Sequence, residues 1–239
     1  MGLHFSKGEF FQRKSKVLNK MKKQNIDALI MFRQESMYWL TGYDTFGYVF
    51  FQSLILDNKG NVVLLTRAPD LRQAENTSNI EDIRIWVDKA GSNPTDDLKI
   101  ILNELNLKGK NLGVEYEAYG LTGRNALRLN KSLEHYCKIE DKSDLITNLR
   151  VIKSKEEIVY VRKASELADK ALDEVWKHAK AGVSESKILA EMNRVIFEGG
   201  GDYPANEFII GSGENALLCR YQAEKQILSN PDQLTIEWA

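Results

Sequence analysis

The residues of this chain with the most chemical reach lie between Gly199 and Ala239, a stretch that reads GGGDYPANEFIIGSGENALLCRYQAEKQILSNPDQLTIEWA. Arg220, set between Cys219 and Tyr221, is a permanent cation with a planar fork of five donors. Glu237 closes the apolar run Leu234-Thr235-Ile236 with a carboxylate able to serve as base, nucleophile or metal ligand. Asn206 and Glu207 add an amide and a second carboxylate at the end of a polar turn that starts at Asp202. Charges at the ends of apolar runs are where α+β enzymes place their working groups. Glycines such as those of Gly211-Ser-Gly213 allow a tight turn and close approach of backbone to a ligand. The same residue types also suit two ordinary strands with exposed ends. A phosphate loop is a poor reading, because no helix carrying a lysine follows the paired glycines.

The elements that must position these groups are legible just upstream. Ser154 and Glu157 form a capping-box pattern at the start of a helix. Ile158, Val161, Ala164, Leu167, Ala168, Ala171, Leu172 and Val175 follow the helical period and are predicted to face inward, up to about Ala179, with a stop at Gly182. A second helix is expected from Ser184, with Ile188, Leu189, Met192, Val195 and Ile196 inward and the triple glycine as its end. Strands at 208–210, 217–221 and 234–237 then make a mostly antiparallel sheet against those helices.

The first half alternates differently. Residues 8–24 predict an amphipathic helix with a solvated lysine-rich face, and Ala28–Phe32 a buried strand. A short helix from Gln34 ends on Gly42. The stretches 48–56 and 62–65 flank Asp57-Asn58-Lys59-Gly60, a hairpin signal. Helices at 70–77, 96–105 and 121–131 alternate with strands at 83–87, 112–115 and 135–139, which reads as a three-layer α/β domain ending near residue 146. Asp70 is predicted to cap its helix.

Composition narrows the function classes. With 239 residues, 43% hydrophobic and 28% charged, the chain can bury one large or two small cores. A net charge of −1 gives no footprint for nucleic acid or an anionic membrane. No run is long and apolar enough to span a bilayer, and the start lacks a signal-peptide core. Cys137 and Cys219 are far apart without a CxxC partner and read as buried thiols in a reducing compartment, which predicts a cytoplasmic protein. His135 and His178 are read as structural or solvent-facing, and His4 lies near a terminus, which is usually poorly ordered; with no i,i+4 partner the three make no metal site.

Together these motifs carry a family resemblance. The stretch from Leu149 through Arg150, Lys153, Ser154, Glu157 and Ile158 to Arg162 and Ala164 resembles the entry to the catalytic domain of the creatinase/prolidase/methionine aminopeptidase superfamily, the pita-bread fold. The turn from Phe208 through Gly211, Gly213 and Asn215 is similar to the strand-turn before that family's active-site histidine. Tyr38-Trp-Leu-Thr-Gly42-Tyr43 is similar to its N-terminal domain. The resemblance implies a creatinase/prolidase-type α/β N-terminal domain at 1–147 and the start of a truncated α+β pita-bread domain at 148–239. It also implies that the chain as given is catalytically incompetent, with an unpaired last strand, an incomplete core and poor solubility.

Two positions depart from the family pattern. The slot of the active-site histidine holds Arg220, and the slot of the first metal-binding Asp holds Glu237, followed by Trp238. A fixed cation at the first slot repels a dinuclear metal site, so no metal and no other cofactor is expected, the alternative being two divalent ions in a metallopeptidase. The phrases around Gln34, Thr41–Tyr48, Leu65–Arg72 and Gly201–Tyr221 resemble the ectoine-hydrolase branch. That resemblance implies hydrolysis of a C–N bond in a small zwitterion, ectoine or hydroxyectoine, with an Xaa-Pro peptidase or a non-catalytic binding relative as alternatives. It assigns Glu237 as catalytic and Arg220, Tyr221, Asn206 and Glu207 as substrate-binding. An arginine fork grips a carboxylate and a glutamate pairs amidinium N–H groups; an ion pair between Arg220 and Glu237 is the structural alternative. A homodimer is implied as well, and Asp70 with Arg72 could then reach a neighbouring site.

Overall fold

The computed structural model describes residues 2–204, 207–218 and 226–238. The chain divides into two compact units, Met1–Lys153 and Ser154–Ala239.

The first unit is built on a six-stranded mixed sheet. Its strands are β1 (Ala28–Met31), β2 (Ser53–Asp57), β3 (Val62–Arg67), β4 (Asp82–Trp86), β5 (Asn111–Val114) and β6 (Lys138–Asp141). Their order is β4-β3-β2-β1-β5-β6, with the β1–β2 and β2–β3 pairs antiparallel and the others parallel. Every residue of β1 and β2 is buried, as strands covered on both faces must be, with Ser53 and Asp57 at the ends of the otherwise apolar β2. Ala28, Ile30, Ile55, Val63 and Leu65 face one core with α4 (Pro94–Glu104) and α5 (Gly123–Leu133). Leu29, Met31, Leu54, Leu56 and Leu64 face the other, under α1 (Lys7–Lys23), α2 (Gln34–Thr41), α3 (Leu71–Thr77) and α6 (Asp144–Arg150). This is the expected three-layer α/β arrangement.

Local differences have physical reasons. The sequence reading placed no helix at α6, yet Leu145 and Ile146 are buried in the second core, so the position expected to end the domain, residue 147, falls inside this helix. Asp70 sits at the start of α3 without capping it; its carboxylate accepts from Arg67 Nε at 3.1 Å instead. The sixth strand begins at Lys138 rather than at His135, which takes φ 59° in the turn before it. His4 is held by its Nδ1 at 2.7 Å from the Tyr38 hydroxyl. Arg13, on the lysine-rich helix, is 1% exposed, pairs with Glu9 at 2.9 Å and donates to the Trp39 carbonyl at 2.8 Å.

The second unit pairs α7 (Lys155–His178) with α8 (Glu185–Glu198) beneath the hairpin of β7 (Ile209–Ser212) and β8 (Leu234–Glu237). Ser154 caps α7 by the predicted box, accepting from Glu157 N–H at 3.1 Å while Glu157 accepts from Ser154 N–H at 2.7 Å. Ala171, Val175, Ile188 and Met192 meet Phe208, Ile210 and Leu228 in one core. The amphipathic period of α7 is correct, but Ile158, Val161 and Ala164 remain exposed, because α8 is shorter and covers only the later half. The strand expected at 217–221 is absent as far as it is described: Gly213–Leu217 is a 3-10 turn.

Candidate active site

The site is organised around the β7–β8 hairpin and the turn that leaves it. Gly211 must be glycine: a Cβ there would stand 2.5 Å from the Asn215 carbonyl oxygen, where the 3-10 turn folds back on the strand. Gly213 opens that turn at φ 55°, in the left-handed region. Asp232 then ties the turn to the start of β8. It accepts from Gly213 N–H at 2.9 Å, Ser229 N–H at 2.7 Å and Gln233 N–H at 2.8 Å. The Ser229 backbone donor, with those of Gly213 and Gln233, holds its carboxyl below the usual range.

The hairpin register places Glu237 opposite Ile209 and Leu234 opposite Ser212. Glu237 is exposed, while Ile236 beside it packs inward with Ile210. Glu207, also exposed, lies two residues before Ile209, so both predicted carboxylates fall at one end of the hairpin. The Gly213–Leu217 turn leaves from the other end, next to Ser212. Arg220, Tyr221 and Asn206 lie outside the described residues, as does Cys219. Cys137 is a free thiol whose pKa burial pushes up to about 11.

His178 sits near the end of α7, with Nδ1 3.2 Å from the Glu174 carbonyl, and His135 projects into solvent beside Glu134. In the first unit Arg67 stacks on Phe50, 3.4 Å from its ring centre, and pairs with Asp70 at 3.1 Å. Sequence reasoning missed Glu185, Ser212 and Asp232. The Ser229-Asn-Pro-Asp232 cluster was a turn signal that could have found Asp232. Nothing in the residue types marked Glu185, which looks like an ordinary acidic residue at a helix start.

Among the described residues no three of His, Cys, Asp and Glu are close enough to hold a metal ion. Glu237 faces an apolar residue across the hairpin, so the described residues do not by themselves assemble a metal centre.

The creatinase/prolidase N-terminal domain model matches residues 13–152, and the metallopeptidase family M24 model matches residues 159–239. An ectoine hydrolase of Halomonas elongata is 28% identical over 232 residues, covering 90% of this chain and 58% of that protein. An Xaa-Pro dipeptidase of Pyrococcus horikoshii is 25% identical over 229 residues, covering 95% of this chain and 59% of that protein. The crystal structure of the prolidase from Pyrococcus horikoshii superposes with a TM-score of 0.74 at 23% identity, covering 95% of this chain and 60% of that one. The chain thus spans under two thirds of the length of these relatives. The expectation of a protein without metal is corrected by the M24 match, because that family is one of metallopeptidases. By these matches the chain belongs to the creatinase/prolidase family, with a creatinase/prolidase N-terminal domain followed by part of an M24 domain of the pita-bread fold.

Proposed function

We propose that the full-length protein hydrolyses a C–N bond in a small zwitterionic compound, with ectoine or hydroxyectoine as the first candidates. The observation that carries this reading is Arg220 at the slot of the family's active-site histidine, in a chain similar to an ectoine hydrolase over 90% of its length. An arginine fork is suited to a substrate carboxylate, and Tyr221, Asn206 and Glu207 supply further polar contacts. Glu237 takes the role of base or nucleophile toward the amidinium carbon. Water adds at that carbon, the C–N bond breaks, and the leaving nitrogen takes up a proton. A cytoplasmic homodimer belongs to the same reading, on the strength of the family resemblance. The second reading, an Xaa-Pro dipeptidase, is favoured by the match to such an enzyme over 95% of the chain.

The test uses full-length protein with ectoine and an Xaa-Pro dipeptide side by side, with and without added divalent metal. Ring opening of ectoine, with a KM raised about tenfold or more in Arg220→Ala, is the expected result. Cleavage of the dipeptide alone would move the assignment to the second reading. An Arg220→Ala variant with unchanged substrate affinity would remove the carboxylate role.

A further inference from the structure

The loop after β4 and the first turns of α4 and α5 border a cleft of about 310 Å³, within the size range of small-ligand sites. Part of its lining is aromatic and fixed in place. Trp86 is 6% exposed and Phe51 3%, and their rings meet edge to face with centres 6.3 Å apart. Trp86 Nε1 donates to the Phe51 carbonyl at 3.0 Å. The polar atom of the indole is thus already satisfied, and what remains for a ligand is ring surface.

The rest of the lining is largely basic. Arg124 and Arg128, one turn apart on α5, and Lys89, from the loop after β4, all border the cleft. Among the described residues none of these three side chains has an ion-pair or hydrogen-bond partner. The acidic residue in the lining, Asp88, is itself faced by Arg67 at 3.8 Å.

Local electrostatics disfavours this arrangement. Arg124 sits in the first turn of α5, where the helix dipole favours an anion, and that turn carries no acidic residue. Arg124 and Arg128 stand at i and i+4, so the two like charges also repel each other. A solvated arginine on an open helix face needs no explanation. Three cations gathered on one aromatic-lined cleft, one of them set against the dipole of its own helix, form a field that an anion relieves.

We propose that this cleft binds a small ring-bearing organic anion, its carboxylate or phosphate held by Arg124 and Arg128 and its flat body against Trp86 and Phe51. The site lies wholly within the first unit and needs no assumption about the reaction proposed for the full-length protein.

The test titrates full-length protein by calorimetry with phenyl phosphate, benzoate and inorganic phosphate, in wild type and in the double variant Arg124→Ala with Arg128→Ala. Phenyl phosphate or benzoate is expected to bind wild type with a Kd below about 1 mM, the tighter of the two naming the anionic group. Inorganic phosphate should bind at least about tenfold more weakly, since it has no ring to bury. Benzamidine, the same ring carrying a cation, should not displace the bound anion. The double variant should weaken the ring-bearing anion about tenfold or more, with a denaturation midpoint unchanged or raised, because it removes a repelling pair from a helix start. Equal affinity in wild type and double variant would put the anion elsewhere in the protein and overturn the proposal. So would no binding of phenyl phosphate or benzoate up to about 10 mM, or inorganic phosphate binding as tightly as either. Should the double variant not fold, the exposed Arg124 decides through Arg124→Ala alone: weaker binding of the ring-bearing anion supports the proposal, and unchanged binding overturns it.

Discussion

Glu115 sits in surroundings far from what its residue type implies. It follows β5 with 0% exposure, and its carboxylate accepts from the Ser36 hydroxyl at 2.6 Å and from the N–H groups of Phe32 at 3.2 Å and Arg33 at 3.1 Å. Burial outweighs these donors and the nearby Arg33 charge, and it raises the carboxyl from 4.5 to about 7. Unfolded, the group ionises near the lower value. As pH climbs from there toward the upper one, the unfolded chain has released a proton that the folded chain still holds. Stability from this group is therefore complete at the acid end and is lost across that window, by about 3 kcal/mol. Glu115→Gln has nothing to titrate. Denaturant unfolding at about pH 4 and about pH 8 should show wild type losing about 3 kcal/mol more than the variant between the two. Equal losses would mean that Glu115 ionises normally in the fold.

At the scale of elements, the helix caps were read most directly. Ser154 and Glu157 make the capping box that their spacing announced, because a cap is a contact among near neighbours. Ser154→Ala should cost the second unit about 1 kcal/mol, seen as a lower denaturation midpoint by circular dichroism; an unchanged midpoint would mean that α7 starts elsewhere without penalty. The hairpin of β2 and β3 across Asp57–Gly60 was likewise local and came out as expected. The missed elements depend on distant partners. Residues 144–150 form a helix because Leu145 and Ile146 find a core made by α1 and α2, far off in sequence. Residues 213–217 turn rather than extend because Gly211 lets the Asn215 carbonyl approach its backbone.

At the scale of the whole molecule, the first unit carries an exposed aromatic surface. Phe46 is 74% exposed and Tyr119 84%, with Tyr48, Val49 and Phe50 also open to solvent. The rings of Tyr48 and Tyr119 pack edge to face with centres 6.1 Å apart. Exposed aromatic side chains of this kind suit a protein–protein contact, so they are where the proposed homodimer is tested. Light scattering of the full-length protein should give twice the chain mass, and Phe46→Asp with Tyr119→Asp should shift it toward monomer. A monomeric wild type at micromolar concentration would end that part of the reading. The match to a metallopeptidase family overturns the expectation, drawn from Arg220 and Glu237, of a protein without metal.

The sequence by itself determined the three-layer first unit, the two amphipathic helices of the second, the capping box and the family. The elements rest on patterns in which a residue's neighbours in sequence are also its neighbours in space, so periodicity and turn chemistry are enough; the family rests on the resemblance of its motifs. Only the tertiary structure decided that Glu237 and Glu207 share one end of a hairpin, that Arg13 is a core cation, and that Glu115 and Glu185 are buried. These facts depend on which distant element covers a side chain. Ser212 reaches Glu185 across 27 positions of chain, and no local pattern in residue types encodes a partner at that separation.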